Sequence, residues 1–173
     1  MTGDGGEKGA RPYLESLGTA GILLGGEGAP SVLGGAVMLE ALPAVAGGPA
    51  GQLLLLDDAP NAVEPLAAFL ARNRWVAYLP ARLAEALRDR PPLRGRISTI
   101  APGLSFLVAG AEMDVLPRGP ETAGFTVLLD WHGVLLLYPA APPTTRTAAE
   151  WWKTFHLCRF LLPFPARRLS WSG

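Results

Sequence analysis

The chain has 173 residues, enough for one domain with a substantial core and short for two. Apolar residues make up 49% and charged residues 17%, below the roughly 25% usual for soluble domains, so more apolar surface than average remains after folding. Fifteen basic residues balance fifteen acidic ones, which leaves no overall field to draw nucleic acid or an anionic membrane.

Residues 1–12 are Gly-rich and polar, with no apolar core of a signal peptide, and read as a disordered tail. Tyr13 to Leu17 alternates apolar and polar residues and then breaks at Gly18, which predicts a strand; Gly21 to Leu24 predicts a second. Ser31 to Leu42 is a long apolar segment that suits strand, helix or both, and Pro43 to Gly51 reads as a loop. Leu53 to Leu56, bounded by Gly51 and Asp57, predicts a buried strand. Val63, Leu66, Ala67 and Leu70 then recur at helical spacing.

Arg74 to Leu79 predicts another strand, and Leu83 to about Arg88 a short helix. The second half is strand-rich: Ile97 to Ile100, Ser105 to Val108 and Glu112 to Leu116, with Pro102-Gly103 as a turn signal. Phe125 to Leu129 and Val134 to Tyr138 flank Asp130-Trp131-His132-Gly133 as a hairpin. Ala148 to Leu162 then reads as a helix with Trp151, Phe155, Cys158 and Leu162 on one stripe and Trp152 and Phe160 off it. A helix apolar on several sides suits a place between two surfaces. The tail beyond Pro163 reads as extended. No apolar run reaches the roughly 18 residues that a membrane span requires. The lone Cys158 excludes an internal disulfide and a cysteine zinc cluster, so a cytoplasmic protein is expected.

Three stretches together resemble the metallo-β-lactamase fold, in its small hydrolase-like branch. Leu17 to Leu24 (LGTAGILL) is similar to the early strand pair usually written LGHAGFLI. Leu53 to Leu70 is similar to the strand, metal loop and helix that carry HxHxDH, and Val115 to Tyr138 to the later loop and hairpin. The resemblance implies an α/β sandwich of the αββα type over residues 13–146, truncated in its C-terminal half, with 147–173 as an aromatic helix and tail. It also implies a dinuclear hydrolytic metal site, yet the positions that match the ligands hold Thr19, Asp58, Pro60, Ala62 and Val63, a later residue near Pro120 or Glu121, and Ala140 or Ala141. Pro, Ala and Val cannot bind a metal ion. A degenerate member with no metal, no cofactor and no catalytic residues is therefore the expectation.

Other chemistry is sparse. Asp57 and Asp58 could bind a cation or cap the following helix, although neighbours on a strand point apart. His132 in the hairpin turn and His156 in the last helix are the only histidines. Asp57, Asp58, Glu121 and His132 form the weak candidate set for a rearranged metal-dependent hydrolase. The Gly-rich run Gly18 to Gly28 lacks GxxxxGK[ST] and GxGxxG, there is no GxSxG, and Arg88, Arg90, Arg94 and Arg96 are interleaved with Pro and Gly, not aromatics. The functional expectation is a structural or interaction subunit, a homo-oligomer or part of a complex. Its candidate partner surface is Trp151, Trp152, Phe155 and Phe160. An unrelated α/β small-ligand binder is the remaining alternative.

Overall fold

A computed structural model describes residues 11–26, 28–45, 50–116, 124–139, 159–160 and 168–170. The first half runs β1 (Tyr13–Ser16), β2 (Ile22–Gly25), β3 (Ser31–Gly34), α1 (Met38–Val45), β4 (Ala50–Leu55), α2 (Val63–Arg72), β5 (Arg74–Pro80), α3 (Ala81–Arg88) and β6 (Ile97–Ile100). The second half supplies β7 (Ser105–Val108), β8 (Ala111–Leu116), β9 (Thr126–Trp131) and β10 (Val134–Pro139), then the short β11 (Arg159–Phe160) and β12 (Arg168–Ser170). Two sheets result, a seven-stranded one in the order β12-β1-β2-β3-β4-β5-β6 and a five-stranded one in the order β11-β10-β9-β8-β7.

The run Leu53 to Leu56 explains why the sheets stack. Successive residues on an extended chain face opposite sides, so Leu53 and Leu55 join one core and Leu54 and Leu56 the other, all four fully buried. The first core lies between the seven-stranded sheet and the described helices and includes Met38, Leu42, Leu66, Leu70, Trp75 and Leu83. The second fills the space between the sheets with Met113, Val115, Val127, Leu129, Trp131 and Tyr138. β3 through β6 are parallel, as strands buried on both faces and joined by helices tend to be. β7 to β10 form an antiparallel meander.

Several sequence expectations are refined. The ambiguous segment Ser31 to Leu42 is both strand and helix, split at the Gly34-Gly35 break. Pro43 lies inside α1, not in a loop, because burial of Met38 and Leu42 carries the helix past it. The β9–β10 turn is only His132-Gly133, with φ of 51° and 78°, the two-residue geometry whose twist suits a hairpin. Trp131 therefore belongs to the strand and the core. Arg159–Phe160 is not the end of a helix but a strand, parallel to Leu136 and Leu137, and the tail forms β12 against β1. Backbone pairing across the fold overrides the local helical spacing there. Among the described residues no helix is long and apolar enough to cross a membrane.

Candidate functional site

The chemistry-bearing end of such a fold lies beyond the carboxyl ends of its parallel strands. Here that rim is built from the turn after β1, the β3–α1 turn, the loop after β4, and the start of β9 with the end of β10. Gly21 and Gly34 bring the first two together, since a Cβ at Gly34 would collide with the Ala20 carbonyl oxygen and one at Gly21 with that of Leu33. The single helical turn Gly18–Ala20 is held by Leu17 N–H on Gly21 O at 2.8 Å. Leu56 is clamped from both sides: its N–H donates to Gly34 O at 2.9 Å, and its carbonyl accepts from Phe125 N–H at 2.6 Å. The latter bond ties the second sheet to the rim.

Among the described residues, Asp57 is the acidic group hydrogen-bonded into this rim. Its Oδ2 accepts the Ala36 N–H at 3.0 Å. Ala36 sits in the overlapping turns that wind into α1, where Met38 N–H donates to Gly35 O and Leu39 N–H to Ala36 O. Ala36 stands two residues before Met38, the first residue of α1, so this bond fixes the turn that leads into the helix. Asp57 Oδ1 is buried and has no hydrogen-bond donor among the described residues. Tyr138, 4% exposed at the end of β10, has its phenol pushed up to about 12, first by burial and then by the Asp57 charge. The expectation that the Asp pair caps the following helix is thus corrected. Neither α2 nor the short turn Pro60–Ala62 before it has a side-chain cap, and Asp57 bonds the turn before α1 instead. Asp58 is exposed.

The metal implied by the fold finds few donors. Ala62, where the matching motif has Asp, is 2% exposed and packs into the helix-side core, and Val63 packs partly against the same cluster. Thr19 lies in the turn Gly18–Ala20. The described residues gather no group of three or more His, Cys, Asp or Glu that could hold a metal ion. His132 is exposed at the far end of the hairpin from Tyr138, roughly 20 Å along β10 at the usual strand rise, so it does not join Asp57 and Asp58. Glu121, Pro120, Ala140 and Ala141 lie outside the described residues, as do Trp151, Trp152, Phe155, His156 and Cys158. Phe160 is placed in β11, opposite Leu137. Among the described residues a dinuclear hydrolytic centre does not find its donors. Sequence reading missed Tyr138 as a neighbour of Asp57, and no local pattern announces a pairing between residues eighty positions apart.

No protein-family model matches the chain, and no curated protein does. Solved structures do. The diiron β-hydroxylase CmlA from Streptomyces venezuelae superposes with a TM-score of 0.56 at 12% identity, over 84% of this chain and 33% of that one. The metallo-β-lactamase fold protein YhfI from Bacillus subtilis gives 0.55 at 11%, over 78% and 64%. A B3 metallo-β-lactamase with an active-site glutamic acid gives 0.52 at 14%, over 96% and 82%. The chain has the metallo-β-lactamase fold. It spans a third of the length of the first of these structures and just under two thirds of the second.

Proposed function

We propose that this is a non-catalytic metallo-β-lactamase-fold protein, a structural or interaction subunit working in the cytoplasm. The observation that carries the reading is Ala62: where the fold's motif has a ligating Asp, a small apolar side chain is sealed into the helix-side core. Pro60 and Val63 add no donor, Asp58 is exposed, and Asp57 is engaged by the Ala36 amide in the turn before α1. The low charge content supports an interaction role, and the aromatic set Trp151, Trp152, Phe155 and Phe160 is the proposed contact surface. A rearranged hydrolytic site is disfavoured by the distance of His132 from Asp57 and Asp58.

Elemental analysis for zinc, iron and manganese, on untagged protein purified without chelator, tests the reading. The expected outcome is no stoichiometric metal. One or two equivalents per chain would overturn it and direct attention to Asp57 and Asp58.

A further inference from the structure

Between α1 and α2 the helix-side surface opens into a groove of about 280 Å³. Pro65, Ala68, Phe69 and Arg72 line it from α2, at the i, i+3, i+4, i+7 spacing that sets them on one helix face, and Leu39 and Pro43 line it from α1. The Phe69 ring is fixed by Trp75, edge-on at 5.4 Å and 77°. Both helices run back from the carboxyl ends of parallel strands, so Arg72 and Asn73 close the groove at the end away from the Asp57 rim.

That end carries charge. Asn73 O accepts from Arg96 Nη1 at 2.6 Å, and the same guanidinium donates to Pro92 O, so the segment before β6 is drawn against the α2–β5 turn. This clasp brings Arg72, Arg74 and Arg94 to one end of the sheet, all three exposed and without an ion-pair partner among the described residues. Glu64, next to Pro65, is already held by Arg90. The neutral total hides the separation. Residues 72–96 hold seven arginines against Glu85 and Asp89, and the rest of the chain holds eight basic residues against thirteen acidic ones.

We infer that this groove is a docking site for an acidic segment of a partner protein, which sets an aliphatic side chain against Phe69 between the helices and its carboxylates on Arg72 and Arg74. An apolar floor edged by arginine is the anatomy of a protein interface, and a guanidinium takes a carboxylate through two parallel bonds. The excess positive charge selects the sign of the partner and speeds its approach. Nucleic acid fits less well, since no described aromatic ring stands exposed beside these arginines for bases to stack on. A second copy would have to bring a different, acidic surface to the groove, a head-to-tail contact that propagates into rings or filaments instead of closing as a pair. The inference deepens the interaction reading and shares its premise of a partner, but the two fail separately. Stoichiometric metal would sink the non-catalytic reading with the groove still binding, and a groove that binds nothing would leave the metal result untouched.

The test is fluorescence anisotropy of the full chain with a short labelled peptide of glutamates interspersed with leucines. The expected result is saturable binding at micromolar concentration that weakens as salt rises. Arg72→Glu combined with Arg74→Glu reverses the charge, and Ala68→Trp fills the groove with the charge untouched; each is expected to weaken binding by at least about tenfold. All three side chains are exposed, so circular dichroism is expected to report an unchanged fold. A peptide with glutamine in place of glutamate, or serine in place of leucine, is expected to bind at least about tenfold more weakly. Should Ala68→Trp disturb the fold, the serine peptide decides the apolar part alone. The proposal is overturned by an absence of saturable binding, by equal binding of the serine peptide, by binding indifferent to a folded Ala68→Trp, by tighter binding of an oligothymidylate of equal charge, or by rings or filaments of the chain alone that Arg72→Glu disperses.

Discussion

Asp57 divides its two oxygens between different surroundings, one on the Ala36 amide and the other buried without a donor among the described residues. Its charge falls on Tyr138, whose phenol is already desolvated, so ionising that phenol would place a second negative charge in the same apolar region. The linkage has a definite sign. Tyr138 is raised from 10.0 to about 12, so the folded chain holds a proton that the unfolded chain releases. Stability is unaffected below the unfolded value and falls as pH rises from about 10 to about 12, by at most roughly 2–3 kcal/mol. Unfolding midpoints measured across that range are expected to fall less steeply for Tyr138→Phe than for the wild type. Parallel curves would show that Tyr138 is not the group responsible. At Gly34 the limit is steric. Gly34→Ala sets a methyl against the Ala20 carbonyl and is expected to cost about 2–3 kcal/mol in urea denaturation. Gly95→Ala, with open space around its Cβ and strain only from a φ of 75°, is expected to cost about 1 kcal/mol.

At the scale of elements, β4 is the strand on which both cores depend. Leu53→Ala opens a cavity under the helices and Leu54→Ala one between the sheets, and both side chains are fully buried. Each substitution is expected to lower the unfolding free energy by about 2–5 kcal/mol. A loss confined to Leu53→Ala in denaturant titrations would mean that the sheets are not packed as described. The other elements are held more lightly at their ends. The Arg90 guanidinium grips the Glu64 carboxylate through two bonds of 2.7 and 3.1 Å and holds it below the usual carboxylate range, first through the hydrogen bonds and then through charge. That pair links the first turn of α2 to the segment after α3, but both partners are in water, where such pairs add little.

At the scale of the whole molecule, what the chain itself announces is its layering. The Leu53 to Leu56 run, bounded by Gly51 and Asp57, predicted a strand buried on both faces, and the structure places it between two cores. Alternation in Glu112 to Leu116, and the apolar runs Phe125 to Leu129 and Val134 to Tyr138 on either side of Asp130-Trp131-His132-Gly133, likewise predicted strands of the meander. That Pro60, Ala62 and Val63 stand where the motif has ligands, with Asp58 the one carboxylate of that loop match, was also legible, because ligand chemistry depends on residue type. Tertiary structure alone decided the rest. Arg159–Phe160 is a strand because the backbone of β10 offers it partners, and Asp57 bonds the turn before α1 instead of capping α2 because the fold brings Ala36 against it. The neighbour of Asp57 is Tyr138 for the same physical reason. Burial, hydrogen-bond direction and the field of a charge depend on which segments meet in space, and residues far apart in the chain carry no local pattern that records the meeting.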